Sequence, residues 1–143
     1  AGDITIKDVY TVLPFDNLVV AVRGTGKQIW DILEHGISAY PAAAGQFLQV
    51  SGLEYTFDAA KPPYERLISV TSNGVPLDPE KTYTLTANDF LTGGGDKFTM
   101  FLEMDKIIVT KSFLRDAFAE YVERHGTIAP VNEGRIVIIN PAN

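Results

Sequence analysis

The sequence predicts an α+β protein, a mixed β-sheet with helices packed on it. Three observations carry that prediction. Strand-like and helix-like stretches are interspersed without the strict βαβ regularity of a parallel sheet. An Asn73-Gly74 turn signal joins two β-rich runs, which calls for an antiparallel part. Finally, 45% hydrophobic against 21% charged residues in a chain of 143 is ordinary for a globular protein and argues against disorder. A chain of this size hides roughly 68–70% of its unfolded surface on folding, enough for a core.

Thr5-x-x-Asp8 is a capping box, with Ile4 and Val9 placed as a hydrophobic staple, and it predicts a short helix over about 5–12, stopped by Pro14. Residues 17–23 (NLVVAVR) read as a buried strand. Thr25-x-x-Gln28 is a second capping box. Ile29, Ile32, Leu33 and Ile37 follow at helical spacing, so a helix is predicted over about 26–40, ending near Pro41. Residues 41–46 form a loop, 47–51 and 53–58 are strand-like around Gly52, and Lys61-Pro62-Pro63 marks a turn. Residues 66–72 are a strand running into the Asn-Gly turn, and 82–87 alternate with Tyr83, Leu85 and Ala87 on one face. After Gly93-Gly94-Gly95 comes a short strand at 107–110. A helix capped by Ser112 then carries Phe113, Leu114, Ala117, Phe118, Tyr121 and Val122 inward and stops at Gly126. Residues 135–139 (RIVII) read as a last strand, buried on both faces.

The segments 41–46 and 58–64 are too short to act as interdomain linkers, so residues 1–143 are expected to form a single domain. No repeat, low-complexity tract or charge run interrupts them. The formal net charge of −6 argues against a nucleic acid polymer as partner, because phosphate-backbone binding depends on clustered Lys and Arg. Cysteine is absent, which rules out disulfides, zinc–thiolate sites and thiol nucleophiles. No apolar run approaches the roughly 20 residues of a membrane span, and no signal peptide is visible. The sequence does not begin with Met and reads at once as a helix start, so a piece of a longer protein is expected.

The chemistry that can be sought by motif is missing. His35 and His125 lie about 90 residues apart and cannot build a His-rich metal centre; each reads as a surface or helix-end residue. Gly24-Thr25-Gly26-Lys27 fails the phosphate-loop pattern, since Ala21 and Gln28 stand where Gly and Ser or Thr are needed. There is no Gly-x-Ser-x-Gly elbow. Asp78 and Glu80 flank Pro79 in what reads as a solvated turn.

Two segments remain unusual: Val12-Leu13-Pro14-Phe15-Asp16-Asn17, and Asn88-Asp89-Phe90-Leu91-Thr92-Gly93-Gly94-Gly95-Asp96. The second places an aromatic and an acid six residues apart across a glycine loop, directly after a strand. Loops at strand ends are where binding groups sit, and glycines permit close approach of a ligand. By residue type alone, Phe15 and Phe90 read more often as core residues than as ligand contacts, and Asp96 more often as a turn or cap acid.

Together with Gly2-Asp3-Ile4-Thr5, Asp8-Val9, the run Gly45–Gly52 (GQFLQVSG), Gly74–Pro79 (GVPLDP) and Tyr83–Leu91 (YTLTANDFL), these segments resemble the C-terminal domain of the 5′-nucleotidase family over about residues 2–101. Beyond residue 101 the likeness is one of general pattern. The resemblance implies the family's C-terminal-domain fold and a secreted, periplasmic or surface-anchored parent phosphoesterase. It implies an N-terminal metallophosphoesterase domain, absent here, holding two divalent metal ions and a catalytic His. The C-terminal domain would supply the nucleoside half of the site and be inactive alone. By the same resemblance, Phe15 and Phe90 stack on opposite faces of the base, and Asp96 accepts hydrogen bonds from the ribose hydroxyls. Asn88, Gly94 and Gly95 complete the implied substrate-binding set, and no catalytic or metal-ligating residue is expected in this chain. The expected partners are a nucleotide or nucleoside and the N-terminal domain of the same polypeptide.

The sequence departs from the family twice. The family's upstream segment with a substrate-contacting Asn and Arg has no counterpart, and Lys97 stands where the family has Gly, so a positive φ there would strain the loop. Other readings stay open at this point. They are a stand-alone module for a nucleoside or other flat ligand, a structural domain with both rings in its core, and a parent acting on 2′,3′-cyclic nucleotides, UDP-sugars or a sulfur compound.

Overall fold

The computed structural model describes residues 2–142. Thr5 caps α1 (Ile6–Val12) as the sequence predicts: its side chain accepts from the Asp8 amide, and the Asp8 carboxylate accepts from the Thr5 amide at 2.8 Å. The chain then runs through β1 (Leu18–Thr25) directly into α2 (Gly26–Ile37), whose start is the second capping box, Thr25 with Gln28. Next come β2 (Glu54–Asp58), β3 (Leu67–Ser72), the Asn73-Gly74 turn and the two-residue β4 (Val75–Pro76). Both turn residues have positive φ, 51° and 74°, as a tight hairpin of this type needs. β5 (Thr82–Asn88) leads into the single turn α3 (Asp89–Thr92). Two 3-10 turns, Gly95–Lys97 and Thr99–Glu103, precede β6 (Asp105–Phe113), α4 (Leu114–His125) and β7 (Ile136–Ile139).

The strands form two sheets. One is antiparallel, in the order β5-β1-β6, and pairs Val19 with Asn88 and Ala21 with Ile108. The other is mixed, in the order β4-β3-β2-β7, with β7 parallel to β2. This is the expected α+β arrangement. Side chains from both sheets, α2 and the 3-10 turns meet in one buried cluster that includes Val22, Leu33, Phe57, Val70, Phe98 and Phe101.

Several local expectations are corrected. α2 ends at Ile37 rather than near 40, because side chains take over its last carbonyls. Ser38 Oγ and Gln46 Nε2 both donate to the His35 carbonyl, at 2.7 and 2.8 Å, and the Arg66 guanidinium reaches the Ile37 and Tyr40 carbonyls, each at 2.8 Å. Residues 47–51 form no strand; Phe47, Leu48 and Val50 pack on the core without a ladder partner. β6 is longer than expected because β1 offers it a partner along its length, from Leu18 opposite Phe113 to Arg23 opposite Asp105. Ser112 stays in that strand, and α4 is entered at Leu114 after Phe113, which gives it no side-chain cap. On α4, Ala117 and Tyr121 face solvent and the buried residue is Arg115. β7 is an outer strand rather than one buried on both faces: Ile136 and Ile138 turn to the core, while Val137 and Ile139 are 47% and 40% exposed.

Glu34 ties α2 to the second sheet. It is 5% exposed, and its carboxylate accepts from the backbone amides of Arg66 and Leu67 at 3.2 and 2.7 Å. Glu34→Ala leaves both amides buried without a partner, so urea unfolding should show a loss on the order of 2–4 kcal/mol. The α1 cap is pH-dependent. Hydrogen bonds from the Thr5 hydroxyl and amide hold the Asp8 pKa below its ordinary 3.8. The folded value lies below the unfolded one, so the cap is complete above about pH 4 and is lost as pH falls further. Helical chemical shifts of residues 6–12 should hold at about pH 5 and decay toward about pH 2, a decay that Asp8→Ala abolishes.

Candidate functional site

The glycine loop is built outward from β5. Asn88 ends that strand and caps α3, its Oδ1 accepting from the Leu91 amide at 2.8 Å. Asn88 is thus half-buried and engaged in the turn. After α3 the chain reverses through Gly94, whose φ of 87° is a left-handed value that glycine adopts without strain. Gly95 is required for a different reason. A Cβ placed on it would lie 2.6 Å from Cε1, Cε2 and Cζ of Phe90, so the Phe90 ring lies face-on against the Gly95 backbone. The ring is held on one side and Phe90 remains 49% exposed.

Asp96 and Lys97 follow with φ of 48° and 64°. The positive φ at Lys97 is the strain anticipated from the missing glycine. Two consecutive left-handed non-glycine residues need external support, and His35 provides it. His35 Nε2 lies 2.8 Å from the Asp96 carbonyl, and its ring stands edge-on to Phe98 with centroids 4.6 Å apart. Of the expectation that His35 is a surface or helix-end residue, the helix end holds and the surface is corrected. His35 is 5% exposed, turned inward on the last turn of α2 against the loop. The Asp96 carboxylate itself is exposed, and its Oδ2 lies 3.9 Å from where a Gly45 side chain would begin, so the 41–46 loop flanks it.

Phe15 stands on the segment between α1 and β1 and is 72% exposed. Two polar anchors fix its backbone. Asp89, the first residue of α3, accepts from Asn17 Nδ2 at 3.1 Å and from the Leu18 amide at 3.0 Å. Arg115 reaches over from α4, pairs with the Asp16 carboxylate and lies 3.3 Å from the Phe15 carbonyl. Its guanidinium sits 4.6 Å from the centroids of both Tyr10 and Phe113. Bonding to Asp16 raises the Arg115 pKa further above the ordinary arginine value. Because Val19 pairs with Asn88, the Phe15 and Phe90 segments leave the same end of the β1–β5 ribbon. Phe15 is two residues, about 7 Å of extended chain, from the Asn17–Asp89 contact. Among the described residues, neither ring pairs with another aromatic side chain.

The fold thus groups Phe90, Gly95 and Asp96 in one turn, with Asn88 and Gly94 shaping it, and ties the Phe15 segment to that turn through Asp89. Sequence reasoning missed Asp89, Arg115 and His35 as supports. Arg115 carries a usable signal, an arginine three residues before Phe118 on the apolar stripe of α4, and His35 carries none. The grouped residues lie on open surface. A cavity of about 480 Å³ opens elsewhere, between Ile29, Leu33, Val50 and Leu85, and neither ring nor Asp96 lines it. Among the described residues no group of three or more His, Asp or Glu side chains converges as a metal ion would require.

The family model described as 5′-nucleotidase, C-terminal domain, matches residues 1–103. The trifunctional nucleotide phosphoesterase YfkN of Bacillus subtilis is 36% identical over 141 residues, 94% of this chain and 10% of that protein. A 5′-nucleotidase-related protein of Glossina morsitans morsitans is 36% identical over 150 residues, 97% of this chain and 27% of its own length. Among solved structures, the 5′-nucleotidase precursor of Thermus thermophilus superposes with a TM-score of 0.94 at 38% identity, covering 97% of this chain and 28% of that one. The chain therefore spans about a quarter or less of the length of these relatives.

Asp89→Ala removes the acceptor of the Leu18 amide and the anchor of Asn17. Hydrogen exchange at Leu18 should accelerate roughly tenfold, with exchange in β2 and β3 unchanged.

Proposed function

The chain belongs to the 5′-nucleotidase C-terminal-domain family, and from that premise we propose that it is the nucleoside-binding part of a phosphoester hydrolase. Phe15 and Phe90 grip the two faces of a base, and Asp96 accepts hydrogen bonds from the ribose hydroxyls. The observation that carries this reading is the pair of unpaired phenyl rings, 72% and 49% exposed, held by one ribbon end beside an exposed carboxylate. Burial of both rings, which a structural role requires, is absent. Exposing large aromatics costs hydrophobic free energy that a bound flat ligand would recover.

The physical chemistry suits a nucleoside. Two ring faces about 7 Å apart accommodate one flat base, and stacking contributes on the order of 1–3 kcal/mol per base while tolerating different bases. An ionised carboxylate accepts from two neighbouring hydroxyls at once, and charge-assisted bonds are the stronger kind. The open surface around the rings suits half of a site whose other wall is a second domain. Grip on the nucleoside is binding energy remote from the reacting phosphorus, and it can orient the phosphate for attack by water. The hydrolytic machinery, with its two divalent metal ions, belongs in this reading to an N-terminal domain of the parent. That parent is secreted, periplasmic or cell-surface and cleaves nucleoside monophosphates. Among the described residues, no helix is long and apolar enough to cross a membrane.

Kinetics of the full-length parent test the proposal. Phe15→Ala and Phe90→Ala should each raise KM for a nucleoside monophosphate about tenfold or more, the loss of one stacking face, while KM for a phosphoester without a base stays put. Unchanged KM on nucleotides would refute the base clamp. The 143-residue chain alone, supplied with Mg²⁺, Mn²⁺ or Zn²⁺, should show no phosphatase turnover.

A further inference from the structure

We infer that His35 is the positioning residue for Asp96, fixing the left-handed turn that aims its carboxylate at the ribose. The inference rests on the ribose-binding reading of Asp96. Asp96 and Lys97 are consecutive non-glycine residues at φ 48° and 64°, a conformation that persists only where the surroundings over-determine it. The turn is fixed from its inner side. His35 Nε2 is 2.8 Å from the Asp96 carbonyl, and a carbonyl can only accept, so Nε2 carries the hydrogen. The Phe98 amide donates to the Gly95 carbonyl at 3.0 Å, and the Phe98 ring, fully buried, packs edge-on to the imidazole.

The imidazole is itself held. Nδ1 lies 3.3 Å from the Tyr64 hydroxyl, a group that both donates and accepts. The His35 carbonyl is taken by Ser38 and Gln46, and the neighbouring Glu34 is locked to β3. The result divides Asp96 in two. Its backbone is bonded to a buried side chain on a rigid helix. Its carboxylate takes no hydrogen bond from any described residue and stays free to accept from a ligand.

A merely structural histidine would lower stability when replaced and leave hydroxyl recognition alone, so the readout is a ratio. In the full-length polypeptide, titration calorimetry measures the affinity for adenosine and for 2′,3′-dideoxyadenosine. His35→Met should lower the preference for adenosine roughly tenfold with the dideoxy affinity nearly unchanged, the size of one lost hydrogen-bond anchor. His35→Gln, whose amide N–H reaches the Nε2 position, should keep the preference within about twofold. An unchanged preference in His35→Met, or an equal loss on both nucleosides, would overturn the inference. Should His35→Met fail to fold, His35→Gln and His35→Asn decide between them. The longer amide reaches the carbonyl and the shorter does not, so equal preferences would also overturn it. Asp96→Ala separates the two levels. If it leaves the preference intact, the ribose role of Asp96 falls; if it abolishes the preference while His35→Met does not, only the role of His35 falls.

Discussion

Asp89 begins α3, and its carboxylate takes hydrogen bonds from the Asn17 side chain and the Leu18 amide, 72 and 71 positions away in sequence. The β1–β5 ladder brings the two segments alongside. Asp89 closes the end of the ladder. Arg115, paired with Asp16, and the Leu114 amide, donating to the Asn17 carbonyl at 2.8 Å, hold the Phe15 segment alongside it. A carboxylate accepting from a backbone amide and a side-chain amide is worth more than a neutral bond, and its loss leaves a half-buried donor unpaired.

The opposite side of the platform is held by different means. The glycine loop uses Gly94 for its left-handed backbone and Gly95 for the close approach of the Phe90 ring. It then runs through two residues, Asp96 and Lys97, that are costly in that conformation. A loop of this kind keeps one shape only when a rigid neighbour holds it. α2 is that neighbour. Its amphipathic face puts Ile29, Ile32, Leu33 and Ile37 into the core, and on its last turn Glu34 and His35 are given over to polar contacts with β3 and with the loop. Arg66 completes the arrangement by reaching the carbonyls where α2 ends.

The cavity flanked by α2, Val50 and β5 and the aromatic platform are separate features. Concave apolar pockets are the usual places to look for small-molecule sites, yet here the exposed rings and the free acid lie on open surface. In the proposed reading the open surface is half of a site, with its other wall on the rest of the parent; this chain covers about a quarter of its relatives' length.

Elements governed by neighbours along the chain were legible before any fold was known. The Thr5 and Thr25 capping boxes, the apolar stripe of α2, the Asn73-Gly74 hairpin and the Gly126 stop depend on spacings of a few residues, and they appear where the pattern put them. Residues 47–51 and the expected burial of 135–139 went astray because strand character is set by partners. The motif residues Phe15, Phe90 and Asp96 could be singled out from sequence, but whether the rings face the core or the solvent could not, since phenylalanine suits either. Packing of the folded chain determined that, and it chose the supports as well. Asp89, Arg115 and His35 act on residues 61 to 100 positions away, distances at which no periodicity operates and only the folded chain selects the partner.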